Sequence, residues 1–218
     1  KKNIKFFLGK PIIAYSIETA LNSKLFDKVI VSTDDENIAN VAKKYGAEVP
    51  FIRPKKLSDD FTCTNSVVKH AINWFLEQDL EINYVCCIYA TAPFLNMTYL
   101  NQGLEMLRDR SKLFAFSVTS FSFPIQRAIK ISNDKISMFN PEYILKRSQD
   151  LDKAYHDAGQ FYWGKAQAFL DELDMFSENS IPIFLPRYMV QDIDTLEDWK
   201  KAEFMYKVLK MEKKHETK

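Results

Sequence analysis

Lys28-Val29-Ile30-Val31-Ser32-Thr33-Asp34-Asp35-Glu36 opens a segment that runs through Tyr45-Gly46 into Ala47-Glu48-Val49-Pro50-Phe51-Ile52. Lys28–Ser32 reads as a short buried strand. Thr33–Glu36 carries the cap residues of a helix that ends at Tyr45, with Gly46 as its stop. Ala47–Ile52 reads as a second strand, closed by Arg53-Pro54. Strand, helix, strand in this order is the building unit of a parallel sheet.

The alternation continues in both directions. Pro11 suits the first turn of a helix whose apolar stripe is Ile12, Ile13, Ile17, Ala20 and Leu21. Residues 53–63 form a polar loop. Thr64 is placed to cap a helix bearing Val67, Val68, Ala71, Ile72, Phe75 and Leu76. Tyr84–Tyr89 is continuously apolar, the pattern of a central parallel strand. Ala90–Phe94 is then a loop, Thr98 opens a helix, and Leu113–Thr119 is a strand. Further on, Phe161–Trp163 and Ile183–Leu185 read as strands and Lys165–Leu170 as a helix. Thr195–Leu209 reads as the last helix, and residues 210–218 as a frayed, charged tail. The class is α/β, a mostly parallel sheet with helices on both faces. Ligands bind such sheets in the loops after the carboxyl ends of strands, here 32–35, 53–66 and 89–95.

Residues 121–160 break the pattern. They are rich in aromatics and charges, with Asn133-Asp134 between two short β-like stretches, a hairpin signal. The stretch is too short for its own core, so it reads as an insertion in a single domain spanning 1–218. Its apolar side chains favour burial against a second subunit, which makes a homodimer the expected assembly.

Composition narrows the function. The formal charge is +1 over 218 residues, and 46% of them are hydrophobic. Near-neutrality argues against nucleic acid or an anionic membrane as partner, and no apolar run approaches a membrane span. Three cysteines, two of them in the apolar run at Cys86-Cys87, build neither a disulfide framework nor a zinc site. A reducing cytoplasm is the expected location. Five glycines are few for a nucleotide-binding chain. The chain opens at Lys1-Lys2-Asn3 without methionine, and the natural chain is expected to extend upstream, where a glycine-rich loop has room.

Several polar groups invite chemistry. In Gln191-Asp192-Ile193-Asp194-Thr195 the two aspartates are spaced i, i+2, which puts both on one face of an extended segment. Paired hard oxygens suit Mg²⁺, which binds one or two carboxylates plus substrate phosphates. The same residues suit a helix cap, with Asp194 and Glu197 or Thr195 and Asp198 as the pair. A cap made by Thr195 leaves both aspartates free, so the two readings coexist. Arg53 after a strand suits paired bonds to a base carbonyl or phosphate, or plain solvation. Thr62, Thr64 and Ser66 stand at a helix mouth, suited to an anion or to capping. Gln149–Trp163 is the densest polar stretch, the kind that lines a pocket for a polyhydroxylated ligand. His156 beside Asp157 suggests acid–base work, but strand neighbours point to opposite faces, which favours a structural histidine.

Taken together, these segments resemble the CMP-sugar synthetases, the cytidylyltransferases that activate sialic-acid-like sugars. The resemblance runs in order over nearly the whole chain: Lys2-Asn3 before Leu8-Gly9-Lys10-Pro11; Val29–Asp34; Arg53-Pro54 with Leu57 and Asp60; Thr91-Ala92-Pro93; Gln149-Asp150-Leu151; Gly159-Gln160-Phe161-Tyr162; and Asp192-Ile193-Asp194-Thr195. Tyr89–Phe94 and Tyr155–Trp163 resemble most closely the branch that uses pseudaminic acid. The sialic acid branch has a glutamine near the position of Tyr89.

The resemblance implies a Rossmann-like nucleotide-diphospho-sugar transferase fold, an α/β/α sandwich with a β-hairpin dimerisation insertion. It implies CTP and a nonulosonic acid as substrates, with legionaminic acid, neuraminic acid or Kdo as the alternatives to pseudaminic acid. Lys2, Asp192 and Asp194 would be the catalytic set, with Mg²⁺ on the two aspartates. Asn3, Arg53, Thr62, Thr64 and Thr91 would hold the nucleotide. Tyr89, Gln149, Asp150, Tyr155, His156, Asp157, Gln160, Phe161 and Tyr162 would line the sugar pocket, partly across a dimer interface. In the family a strand and a basic phosphate loop directly precede the Lys-Asn pair. A nucleotide-binding regulatory protein or an inactive remnant is the reading from a different class.

Overall fold

Gly46 adopts φ +95° at the end of its helix, and the chain turns there to run parallel to residues 28–32. The computed structural model describes residues 1–109 and 111–216. Two short strands, β1 (Phe6–Phe7) and β2 (Lys10–Pro11), form a hairpin ahead of α1 (Ile12–Ser23). α2 (Glu36–Lys44) starts at Asp35, whose carboxylate accepts the N–H groups of Asn37 and Ile38. Around it the expected strands are reduced to a single parallel bridge, Ile30 to Glu48. The Glu48 N–H bonds to the Val29 carbonyl at 2.8 Å, and the Val31 N–H to the Glu48 carbonyl at 2.9 Å. The next donor in that ladder belongs to Pro50, which has no N–H, so the ladder stops.

α3 (Thr64–Leu76) has Cys63 at its N-cap and no side-chain cap bond, so Thr64 is the first helical residue and not the cap. The strand β3 (Tyr84–Ile88) follows, then α4 (Met97–Asp109) and β4 (Phe114–Ser120). The insertion contains β5 (Ile129–Ser132) and β6 (Lys135–Met138), joined by Asn133 and Asp134, both at positive φ. This is the two-residue hairpin turn that the sequence suggested. β7 (Tyr155–Lys165), α5 (Ala166–Leu170), β8 (Ser180–Phe184) and α6 (Leu196–Glu216) complete the chain. Residues 210–216, expected as a frayed tail, continue α6; Thr217 and Lys218 lie outside the described residues.

The main sheet has the order β3-β7-β4-β8. β3, β4 and β8 run in one direction, and β7 runs antiparallel between β3 and β4. The expectation of a central parallel strand at Tyr84–Tyr89 is therefore corrected. Among the described residues β3 pairs only with antiparallel β7, and all five of its residues remain half-exposed. An apolar run does not reveal whether the neighbouring strand runs parallel or antiparallel.

Side-chain alternation along β7 builds both layers of core. Phe161 and Trp163 face Leu100, Leu104 and Leu107 of α4. Tyr162 faces the opposite side with Phe114 and Phe116, against Ile72 of α3 and Phe169 of α5. Gly103 lets α4 approach closely, since a Cβ there would fall 2.8 Å from Trp163. A third cluster joins Phe7, Tyr15, Trp199 and Ala202 to Ile193, anchoring the loop before α6.

Candidate active site

The residues singled out above fall into local groups on and around the loops that leave the 28–32 segment, the 47–52 segment, β3 and β8: Lys2 with Asp194, Arg53 with Asp34 and Ser58, and Tyr89 with Thr64, Gln160 and Tyr162. In the loop after β8, exposure alternates: Asp192 and Asp194 face solvent while Ile193 between them is 1% exposed. Burial of Ile193 drives both carboxylates to the same side. The cap forms as well. Thr195 donates its N–H and hydroxyl to the Asp198 carboxylate at 2.9 and 2.7 Å, and accepts the Asp198 N–H at 3.1 Å. These bonds hold the Asp198 carboxyl below its ordinary value, the Thr195 hydroxyl contributing most.

Lys2 sits in a short 3-10 turn, Lys2–Ile4, and its ammonium donates to the Ile193 carbonyl and to Asp194 Oδ1, the latter at 3.1 Å. The first turn thus delivers a cation to the aspartate pair from almost the other end of the chain. Asn3 lies in the same turn, half-buried. Lys1 pairs with Asp35, the cap of α2.

Arg53 is fixed from three sides. Its backbone N–H bonds to Thr33 at 2.9 Å, its Nε donates to Ser58 Oγ at 3.1 Å, and its guanidinium lies 3.7 Å from Asp34. Asp34, expected only among the cap residues of the following helix, is thus a partner of Arg53; its place in the loop after an apolar strand was the available signal. Thr62 donates its N–H and hydroxyl to Asp59 at 2.7 and 2.8 Å, which lowers the Asp59 carboxyl. Thr64 Oγ1 lies 3.4 Å from the Tyr89 phenol. Thr91 is half-buried in the turn after β3.

Tyr89 joins the two halves of the site. Its N–H bonds to the Gln160 carbonyl at 3.0 Å, its carbonyl accepts from Ser16 Oγ at 2.8 Å, and its ring lies 5.2 Å from that of Tyr162. Gln160 is 3% exposed; its Nε2 donates to the Met189 carbonyl at 2.6 Å and its Oε1 has no partner among the described residues. Tyr162 donates to Asp157 Oδ2 at 2.6 Å, and burial with that contact pushes the phenol well above its usual range. Phe161 lies in the core at 0% exposure.

His156 and Asp157 do not form an acid–base pair. The His156 ring nitrogen contacts the Asp157 carbonyl oxygen at 2.7 Å, and the ring packs on Phe121. Tyr155 is exposed against Phe184. Gln149 and Asp150 sit on the exposed insertion, where Arg147 holds both Asp150 oxygens at 2.7 and 3.1 Å. No hydrogen bond among the described residues joins them to Tyr89 or Gln160.

Comparison with known proteins gives this arrangement a context. A family model described as cytidylyltransferase matches residues 1–215. The pseudaminic acid cytidylyltransferase of Campylobacter jejuni subsp. jejuni serotype O:2 is 49% identical over 209 residues, 95% of this chain and 90% of that protein. A CMP-N,N'-diacetyllegionaminic acid synthase of Legionella pneumophila is 29% identical over 91% of this chain and 86% of its own. Among solved structures, a CMP:2-keto-3-deoxy-manno-octonic acid synthetase complexed with CTP superimposes with a TM-score of 0.67 at 13% identity. It covers 94% of this chain and 91% of that one. That likeness shows the Rossmann-like α/β fold.

Proposed function

Because the chain belongs to the cytidylyltransferase family, we propose that it joins CTP to a nonulosonic acid, pseudaminic acid, giving the CMP-sugar and pyrophosphate. The observation that carries the choice of substrate is the 49% identity over 95% of the chain to an enzyme of that name.

The site supplies what the reaction needs. The sugar's anomeric hydroxyl attacks the α-phosphorus of CTP; a new oxygen–phosphorus bond forms as the bond to the β-phosphate oxygen breaks and pyrophosphate leaves. Positioning and charge stabilisation carry most of such a reaction. Arg53, pre-set by Ser58 and Asp34, presents charged donors to the nucleotide. Thr62 and Thr64 follow it in the next loop and helix and Thr91 lies after β3, all three assigned to the nucleotide; Lys2, bonded to Asp194, is assigned with Asn3 to the phosphates. Tyr89 is assigned to the acceptor side, with Gln160 behind it, its amide turned inward to the Met189 carbonyl. Asp192 and Asp194 fit Mg²⁺: two hard, solvent-facing carboxylates on one side of the loop, neither one used by the cap, and one already holding a cation. When bound there, Mg²⁺ supplies neutralisation of phosphoryl charge. Lys2 is then free to meet a phosphate oxygen.

The insertion completes the proposal. Ile129 and Ile131 stand opposite Met138 and Ile136, so one face of the hairpin is apolar. Ile131 and Ile136 are 70% and 71% exposed. A homodimer that buries this face twice would also bring Gln149, Asp150, Tyr155 and His156 towards a partner's sugar pocket. No described helix is long and apolar enough to cross a membrane; the cytoplasm, where CTP is available, is the proposed place of action.

The test is pyrophosphate release from CTP with pseudaminic, legionaminic and N-acetylneuraminic acids offered separately. Pseudaminic acid is expected to give the highest kcat/KM. Preference for another acid would overturn the substrate, and no release with any of them would overturn the reaction.

A further inference from the structure

β7 does not run smoothly past β4. Phe116 stands opposite Tyr162 and Val118 opposite Asp157, which leaves Ala158–Phe161 facing Ser117 alone. The surplus forms a bulge. Gly159 takes φ +63°, and the Ser117 hydroxyl accepts the N–H groups of Gln160 and Phe161 at 3.3 Å each. One side chain closes the bulge across its mouth. Asp157 Oδ1 accepts the Gly159 N–H at 2.8 Å, and Oδ2 accepts the Tyr162 hydroxyl at 2.6 Å.

Both oxygens of Asp157 are thus engaged within its own strand. An anionic ligand for the sugar or a proton acceptor would need at least one of them turned to the acceptor. What the bulge does position is Tyr89, held through the Gln160 carbonyl at 3.0 Å and beside the Tyr162 ring at 5.2 Å, while the Gln160 side chain turns inward to Met189. Bulges beside active sites commonly re-aim a side chain.

We infer that Asp157 and Tyr162 form a clasp that fixes the bulge of β7 and thereby sets the acceptor pocket, Asp157 acting as a positioning residue whose geometry matters and whose charge does not. The inference rests on the cytidylyltransferase reading for its kinetic consequence, but not for its structural one. Asparagine can rebuild the clasp: its Oδ1 accepts the Gly159 N–H and its Nδ2 donates to the Tyr162 oxygen, with the direction of one proton reversed. Alanine at 157 cannot, and phenylalanine at 162 removes the other half.

The experiment uses the full chain and three variants, Asp157→Asn, Asp157→Ala and Tyr162→Phe. In Asp157→Ala and Tyr162→Phe the KM for the nonulosonic acid is expected to rise about tenfold, the size of one lost hydrogen bond. CTP affinity and kcat at saturation should stay near the parent values. Asp157→Asn should keep a near-parental KM. Amide hydrogen exchange at Gly159 supplies a readout that does not need activity: protection persists in Asp157→Asn and falls in Asp157→Ala. Equal impairment of Asp157→Asn and Asp157→Ala, or a loss confined to kcat, would overturn the clasp. So would unchanged Gly159 exchange in Asp157→Ala. If the parent releases no pyrophosphate with any acid, the functional reading has failed, and the exchange pattern still decides the clasp. Should Asp157→Ala not fold, Asp157→Asn and Tyr162→Phe carry the comparison.

Discussion

Thr195 and Asp198 cap α6 reciprocally, each accepting the other's N–H, with the Asp194 N–H as a further donor to Asp198 at 3.3 Å, and the side-chain carboxylates of Asp192 and Asp194 take no part in the cap. Asp192→Asn and Asp194→Asn should each lower turnover about a hundredfold or more, as when a metal-centred site loses charge. Melting temperature and metal-free CTP binding should hardly move. Near-parental turnover in both would leave the loop with its capping role only.

Asp198→Asn should show the converse behaviour, with a dependence on pH. The Asp198 carboxyl is held below its unfolded value of about 3.9. A depressed carboxyl stabilises the fold above the unfolded value, and that contribution fades as pH falls through the folded value. The melting difference between parent and Asp198→Asn is therefore expected at neutral pH and should vanish in strong acid. A difference that grows on acidification would contradict the cap.

Arg53→Ala should weaken CTP binding by about 1.5–3 kcal/mol, the loss of a charge-assisted hydrogen bond. Affinity for the acceptor should change much less, because Tyr89 and Gln160 sit on other elements. Isothermal titration measures both; unchanged CTP affinity would rule Arg53 out of the nucleotide site.

Gly103→Ala tests the packing of α4 on the sheet. The added methyl would lie 2.8 Å from Trp163 and 3.2 Å from Phe161, both almost fully buried. Overpacking of this kind costs about 1–3 kcal/mol. Chemical denaturation that shows no loss would mean that α4 shifts freely.

For the insertion, charged residues at Ile136 and Met138 should yield a monomer with weakened acceptor binding and nearly intact CTP binding. Sedimentation of the parent decides first. A monomeric parent, or a monomeric variant with full activity, would remove the shared pocket.

The sequence was most legible where local rules operate alone. The Thr195 cap, the Asn133-Asp134 hairpin and the Gly46 stop depend on a few adjacent residues, and all three are present. Among the described residues the strand at 28–32 is reduced to one bridge, and Pro50, distant in sequence, interrupts its ladder with the 47–52 segment. The place of Tyr84–Ile88 was misread because an apolar run does not reveal which strand will pair with it. In the candidate site, Arg53 stood out by its place after a strand, and the aspartate pair by its i, i+2 spacing, which fitted a cap as well as a metal. The Asp157–Tyr162 contact and the long reach of Lys2 to Asp194 could not be found in this way, since each needs a bulge or a chain closure that no local pattern encodes.

The aromatic cluster around Trp199 has an optical consequence. The chain has three tryptophans, and they occupy different surroundings. Trp74 contacts Phe51, Trp163 stacks on Phe26 within the core, and Trp199 lies beneath the Lys5 ammonium at 4.3 Å, edge-on to Phe7. Trp199 is in the first turn after Asp194 and shares its cluster with Ile193. With Trp74 and Trp163 replaced by phenylalanine, a change in the emission of Trp199 on adding Mg²⁺ or CTP would report, without labels and before any turnover, whether either one reaches the aspartate loop.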